Sequence, residues 1–340
     1  MTSYRIKSDA TGDVFECDSG DTVLRSALRA GVNFSYECNS GGCGACKFEA
    51  IEGTFTTLWP DAPGLSRRDI RKGRMLGCQC VPDGDAVIRF NPDPEAEPDR
   101  VARPQRGSLT LREVNMLTAD MAEFVFEGDG AERFLPGQIA MFDLPGITGA
   151  RAYSMSNLPN DSRQWRFIIK HVPGGAGTGY LFDTLQLGDV LPIDAPYGKS
   201  YFRPENGRDI VCIAGGSGLS PVMSIARAAT RDPAMAGRRV LMFYGGRSPE
   251  DICTPGLVSE LNGPGAEITC FNAISDETRA GEWDGDCCFI HELAERTLGD
   301  EMAAYDYYFC GPPPMTDAVQ RMLMIEHKVL FDQLYFDRFF

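Results

Sequence analysis

The chain contains no long apolar run. None of its stretches approaches the roughly 18 consecutive apolar residues that cross a bilayer, which excludes a membrane-spanning helix. Its first residues, MTSYRIKSDATG, have no apolar core, so no secretory signal is expected. Basic charge is in deficit: 33 Lys and Arg face 48 Asp and Glu, a formal net charge of −15. That balance argues against recognition of nucleic acid or an anionic membrane through a basic surface. Histidine is scarce as well. The three present, His171, His291 and His327, form no cluster and read as structural. No internal repeat is visible.

Cysteine, by contrast, is plentiful. Twelve are spread over 340 residues without an export signal, which fits a reducing cytoplasm better than a disulfide framework. Four stand out. Cys38, Cys43 and Cys46 lie in YECNSGGCGACK, and Cys78 follows in LGCQC. The C-x4-C-x2-C spacing with a distant fourth cysteine is that of a plant-type [2Fe–2S] cluster, in which each iron takes two thiolates. Gly41, Gly42, Gly44 and Ala45 are small enough for a loop to curl round an inorganic core with its N–H groups turned inward. A zinc site usually shows two short cysteine pairs, and a thioredoxin-like Cys43/Cys46 pair needs neither Cys38 nor Cys78. Cys80 is a second candidate beside Cys78. The other cysteines (17, 212, 253, 270, 287 and 288) read, with Cys80, as small buried hydrophobes.

Length predicts two to three domains. Residues 4–7, 14–17, 47–52 and 86–90 read as strands and 22–30 as a short helix, a small mixed unit around the cysteine loop. The run NPDPEAEPDRVARPQR at 91–106, rich in Pro and charge, reads as a linker. Domains are placed at 1–95, 107–205 and 206–340, joined by 96–106. Strand-like runs at 108–114, 123–127, 139–144, 165–172 and 190–193, with one helix near 180–187, predict an antiparallel barrel. From residue 209 the rhythm becomes strand, glycine turn, helix. Strands at 209–214, 239–244, 268–272 and 305–310 and a helix at 222–230 predict a parallel sheet covered by helices.

Arg151-Ala152-Tyr153-Ser154 lies within the barrel segment. Preceded by the cluster motif and followed by a nucleotide turn, it matches the R-x-Y-S pattern of the ferredoxin–NADP reductase superfamily. Arg suits a flavin phosphate, Tyr can lie on the isoalloxazine, and Ser can hydrogen-bond near N5. Downstream, in KHVPGGAGTGYL, Gly175, Gly177 and Thr178 precede a helix whose N-terminal N–H groups suit the flavin pyrophosphate. The resemblance assigns Gly215, Gly216, Ser217 and Gly218 of IAGGSGLSP to the pyridine-nucleotide pyrophosphate. It places Cys310, Gly311 and Pro312 of YFCGPPPM beside the nicotinamide, and it favours Cys78, followed by Gln, as the fourth cluster ligand. It also implies that Asp337 lies close to the flavin and that Phe339, or alternatively Phe340, shields one ring face. Ser154, Cys310 and Asp337 are thus the residues expected nearest the hydride transfer.

After the strand at 239–244, Arg247, Ser248, Glu250 and Asp251 give mixed evidence on the ribose 2′ position. Along its whole length, including GTFTTLWPDAPGL around Trp59, the chain resembles reductase components of soluble di-iron monooxygenases of the toluene, alkene and phenol type. The implied fold is a ferredoxin β-grasp domain, an antiparallel flavin barrel and a parallel-sheet nucleotide domain. The implied cofactors are FAD and a [2Fe–2S] cluster, with NADH as donor. Electrons would pass to a Rieske ferredoxin or a hydroxylase, from a monomer. A reductase of a ring-hydroxylating dioxygenase shares every motif, and a ferredoxin-like binding module with dead sites is the non-enzyme alternative. The basic run at 66–74, before Cys78, reads either as a solvated helix face or as a docking patch for an acidic surface.

Overall fold

The computed structural model describes residues 2–93, 102–130 and 133–338. Near the N-terminus, β1 (Ser3–Ser8) and β2 (Val14–Asp18) form a hairpin, and α1 (Val23–Arg29) follows. Thr22 caps α1 by accepting from the Arg25 N–H, and the helix buries Val23, Leu24 and Ala27. Next come β3 (Lys47–Glu52), β4 (Phe55–Thr57), α2 (Arg67–Arg71), β5 (Arg74–Leu76), β6 (Cys80–Pro82) and β7 (Ala86–Phe90). The main sheet runs β2-β1-β7-β3-β5, with β1 and β7 parallel and β4 and β6 paired separately. This mixed sheet and its helix are the expected β-grasp.

The second set of strands is β8 (Gln105–Met116), β9 (Met121–Gly128), β10 (Ile139–Phe142), β11 (Arg151–Ser154), β12 (Gln164–Lys170) and β13 (Val190–Tyr197). All six belong to one six-stranded sheet, the barrel-like layer expected of a flavin domain. The helical turn α3 (Ala176–Gly179) precedes β13. β8 begins at Gln105, inside the segment that composition assigns to the linker. At Gly128 a side chain would strike the indole of Trp165, the nearest atom lying 2.6 Å from its Cβ position.

The third set is an all-parallel sheet. Its strands are β14 (Asp209–Gly215), β15 (Arg239–Gly246), β16 (Glu267–Ile274), β17 (Asp286–Cys287), β18 (Tyr305–Gly311) and β19 (Leu334–Arg338), in the order β17-β16-β15-β14-β18-β19. The helices are α4 (Leu219–Arg231), α5 (Thr254–Val258), α6 (Ile290–Leu298) and α7 (Pro313–Arg321). Alternation along β14 sends Ile210, Cys212 and Ala214 into the core under α4, and Val211 and Ile213 into a second core containing Ile290, Leu293 and Val319. Burial on both faces explains the unbroken apolar run DIVCIA. The sequence pattern announces neither β17 nor β19. By pattern alone, the β19 segment reads only as a tail covering the flavin.

Contacts along the chain divide it into two compact units. One joins Met1–Ser108 to Ala140–Ala152 and Leu191–Gly198; the other holds Leu109–Ile139, Tyr153–Val190 and Lys199–Phe340. The first unit contains a buried ion-pair cluster. Asp21 meets Arg25 at 3.4 Å, Arg106 at 2.7 Å and Arg29, and Arg29 also meets Asp194. Burial pushes the Asp194 carboxyl up despite that neighbour.

Candidate functional site

The loop between α1 and β3 supplies Cys38, Cys43 and Cys46, the turn between β5 and β6 supplies Cys78, and the four fall into two pairs. The Cys46 and Cys78 sulfurs lie 3.3 Å apart, and Cys38 accepts a hydrogen bond from the Cys43 thiol. The Cys38 sulfur also accepts from the Ser40 and Cys43 N–H groups, both at 3.4 Å, and the Cys43 sulfur from the Ala45 N–H at 3.4 Å. The bond from Cys43, helped by those N–H groups, brings the Cys38 thiol down to about 5 against the effect of burial. Donating that bond, together with burial, pushes Cys43 up. Cys78 is pushed up by its bond with Cys46 and by burial. Among the described residues no three His, Cys, Asp or Glu side chains converge on one point. Two thiolate pairs suit two irons bridged by sulfide; a single tetrahedral zinc needs four ligands at one point. Cys80 sits elsewhere: its buried sulfur is 3.7 Å from Thr57 Oγ1 on the neighbouring strand, and burial pushes its thiol up to about 11.

The loop's tight path depends on residues that accept positive φ. Gly44 has φ +77, and a Cβ there would sit 2.4 Å from the Gly64 carbonyl oxygen. Gly64 in turn donates its N–H to the Gly41 carbonyl at 2.9 Å, and Trp59 packs its ring against Gly41. A strip of chain at 58–66 therefore lies directly over the cysteine loop. Asn39, also at positive φ, is buried with neither amide atom partnered among the described residues.

β11 carries Arg151, Tyr153 and Ser154. Arg151 Nη1 donates to the Gly149 carbonyl at 2.9 Å, while its Nε and Nη2 have no partner among the described residues. Tyr153 is half-buried. Ser154 is 3% exposed, and its hydroxyl has no hydrogen-bond partner among the described residues. An orphaned buried hydroxyl is costly unless a ligand meets it, so this side chain fits a flavin edge. Gly177 is buried at the start of α3, but the Thr178 hydroxyl is used locally, accepting from the Val172 N–H at 3.0 Å. Backbone N–H groups, not that hydroxyl, are what this turn offers a phosphate.

Helix α4 holds the Ser154 strand in place from the other side. Ser220 Oγ donates to the Ser154 carbonyl at 2.6 Å and accepts from the Ile168 N–H at 3.0 Å. One and two turns further along, Ser224 Oγ donates to the Asn157 carbonyl at 2.7 Å and Arg227 donates to the Ser156 carbonyl. Spacing of four and three residues puts all three side chains on one helix face. Burial pushes the Arg227 guanidinium down. Sequence reasoning misses this row, although the Ser before Pro221 in the glycine turn is its visible signal.

The turn Gly216–Gly218 joins β14 to α4, with Ser217 between the two glycines. At Gly218 a Cβ would lie 1.9 Å from the Cys310 carbonyl oxygen, so no side chain fits. A Cβ on Gly311 would approach Met315 to 2.8 Å and the Gly215 carbonyl to 3.1 Å. Cys310 faces Ala214 on one neighbouring strand and Asp337 on the other. Burial pushes its thiol well above the ordinary value, and nearby Asp337 adds to the effect. Pro312 caps α7. The fold thus brings together Gly215, Gly218, Cys310, Gly311 and Asp337. Phe339 and Phe340 lie outside the described residues.

At the end of β15 both acids are engaged. Asp251 accepts from the Arg247 and Ser248 N–H groups at 3.0 Å and meets Lys170 at 3.2 Å, and Glu250 pairs with Arg279 at 2.7 Å. Cys17, Cys80 and Cys212 are buried as expected, but Cys253, Cys270, Cys287 and Cys288 are only half-buried: Cys270 lies on β16 beyond the short reach of its neighbour β17, Cys287 on the edge strand β17, and Cys253 and Cys288 outside the strands. Among the described residues no helix is long and apolar enough to cross a membrane.

Three family models match in succession: a 2Fe-2S iron-sulfur cluster binding domain at residues 6–83, an oxidoreductase FAD-binding domain at 108–202 and an oxidoreductase NAD-binding domain at 212–321. The chain is 40% identical to the ferredoxin–NAD(P)(+) reductase CarAd of Metapseudomonas resinovorans, over the full length of both. It is 38% identical to the ferredoxin–NAD(+) reductase component of the alkene monooxygenase system of Xanthobacter autotrophicus, over 96% of this chain and 98% of that one. Among solved structures, the ferredoxin reductase in carbazole 1,9a-dioxygenase superposes with a TM-score of 0.89 at 36% identity, covering 100% of this chain and 99% of the other.

Proposed function

The chain belongs to the ferredoxin–NAD(P) reductases that supply electrons to oxygenases, and from that premise we propose that it carries electrons from NADH to a ferredoxin. Cys38, Cys43, Cys46 and Cys78 hold the [2Fe–2S] cluster. Arg151, Tyr153, Ser154 and the turn at Gly177 and Thr178 hold FAD. Gly215, Gly216, Ser217 and Gly218 receive the nucleotide pyrophosphate, with Cys310, Gly311 and Pro312 against the nicotinamide and Asp337 beside them. Bound there, FAD would supply two-electron chemistry toward the nicotinamide and the cluster one-electron chemistry toward the acceptor. The protein's own work is positioning. Ser220 pins the Ser154 carbonyl, which aims the free hydroxyl. Gly218 lets the nucleotide turn close on Cys310. The raised Cys310 thiol stays neutral, adding no charge where hydride moves.

The observation that carries this reading is the orphaned, buried Ser154 hydroxyl on the strand gripped by the nucleotide-turn helix. NADH is favoured by the 38% identical relative named for NAD(+); the engaged Glu250 and Asp251 do not themselves discriminate. Ferredoxin is favoured as immediate acceptor because two full-length relatives are named ferredoxin reductases. For the final oxygenase, the alkene monooxygenase relative supports a di-iron monooxygenase system. The structural match to the ferredoxin reductase in carbazole 1,9a-dioxygenase favours a ring-hydroxylating dioxygenase as the second reading. Purified protein should show flavin and cluster absorbance that NADH bleaches far faster than NADPH. Absence of a flavin band would refute the enzyme reading. Product formation with candidate ferredoxin and oxygenase pairs decides the last step.

A further inference from the structure

The strip of chain over the cysteine loop carries charge of the wrong sign for this molecule. It is tied down along its length. Leu58 donates its N–H to the Gln79 carbonyl at 2.8 Å, and Gly64 donates to Gly41 at 2.9 Å. Just beyond, Asp69 meets Lys47, the residue after Cys46, at 3.0 Å, and Arg74 at 3.1 Å. Ser66 and Asp69 form a capping box at the start of α2. Bonds from Ser66 and Lys47 hold the Asp69 carboxyl well below the usual range. The strip is therefore a fixed surface beside the cluster loop.

What it shows outward is Trp59, 38% exposed over Gly41, Ile70, 57% exposed, one carboxylate, Asp61, and four cations that outnumber it. Arg67, Arg68, Arg71 and Lys72 are all exposed and have no anionic partner among the described residues. The inward-facing Arg74 and Lys47 are the ones that neutralise Asp69 and Glu49. A solvated helix face on a chain of net charge −15 has no reason to concentrate unpaired cations beside its most exposed candidate ligand, Cys43. Aromatic and arginine side chains are also those that anchor protein interfaces.

We propose that residues 59–73 form the docking face for an acidic protein acceptor, with Arg67, Arg68, Arg71 and Lys72 steering it and Trp59 seating it over the cluster loop. This rests on the reading of the four cysteines as the cluster from which electrons leave. Long-range attraction between opposite charges raises association rates, and salt screens it. The chain's net charge of −15 disfavours a long polyanion such as nucleic acid, whereas a small acidic protein need cover the patch alone.

The test uses full-length holoprotein carrying Arg68→Glu with Arg71→Glu, and two probes: an acidic Rieske-type ferredoxin and the basic cytochrome c. At low salt the variant should reduce the ferredoxin about tenfold more slowly, lose the wild-type decline with salt, and reduce cytochrome c at least as fast as before. Bleaching of flavin and cluster by NADH should be unchanged. An unchanged ferredoxin rate, or equal slowing with both probes, overturns the proposal. Slower bleaching of the cluster by NADH also overturns it, because the patch would then serve the chain's own acidic surface. Wild-type protein lacking cluster absorbance would instead overturn the reading on which the proposal rests.

Discussion

Cys38 and Cys310 are the same side chain in opposite settings. Cys38 sits in an open loop where a thiol and two N–H groups point at its sulfur, and its thiol falls to about 5. Cys310 ends a strand buried on both faces, and its thiol rises far above the ordinary value. The first environment favours a thiolate, the form that binds metal; the second favours a neutral thiol, which packs. Glycine shows the same contrast. In the loop it supplies positive φ so that N–H groups turn inward, as at Gly44. At Gly218 it supplies empty space so that two backbones can touch.

Removing one member of each kind tests that contrast, and the largest effect belongs to the loop. Cys38→Ser should abolish cluster absorbance and bring reduction of one-electron protein acceptors to background, while NADH-to-ferricyanide activity at the flavin persists. Equal loss of both activities would contradict the assigned electron path. Next comes Gly218→Ala. Its methyl has to displace the Cys310 carbonyl, so we expect destabilisation of about 2 kcal/mol or more in thermal unfolding, with weakened nucleotide binding and an intact cluster spectrum.

A subtler pair lies along α4. Ser220→Ala leaves the Ser154 carbonyl and the Ile168 N–H unpaired and should cost about 1–2 kcal/mol of stability. Ser154→Ala removes a hydroxyl with no protein partner, so the melting temperature should barely move. Flavin reduction by NADH, followed by stopped flow, should slow about tenfold, the value of one hydrogen bond near 1.4 kcal/mol. A stability loss in Ser154→Ala matching that of Ser220→Ala would show that the hydroxyl serves the fold instead. The smallest effect concerns Cys212 and Cys310. Burial raises both thiols, so the neutral form persists as pH rises past the ordinary value of 9.0. Iodoacetamide at pH 8, read by mass spectrometry, should leave both unlabelled until the protein is unfolded.

Much of the fold is legible in the order of residues. The alternation of DIVCIA with glycine turns implies the parallel sheet, because strands buried on both faces must be apolar throughout. β19 is not legible in this way. LYFDR follows no helix-then-turn signal, and only its register against β18, Cys310 beside Asp337, makes it a strand. Helix α4 is visible in the sequence, but its polar face is not. Ser220, Ser224 and Arg227 look like ordinary surface residues until the carbonyls of β11 and the chain just beyond it are set against them. The acids after β15 look open to a ribose in the sequence, whereas in the fold each is already engaged.

By itself the sequence determined the chemistry available. Cysteine spacing, Arg151-x-Tyr153-Ser154 and the glycine turn are local patterns, and local patterns fix which groups a loop can present. Tertiary structure decided the pairings across long separations. Cys46 meets Cys78 and not Cys80 because the short turn between β5 and β6 aims one sulfur at the loop and the other at Thr57. The Ser154 hydroxyl is left unpartnered because α4 takes the residue's carbonyl and none of the described residues takes the hydroxyl. Such choices depend on which backbones the packed cores bring within about 3 Å, hydrogen-bond distance, and no short stretch of sequence carries that information.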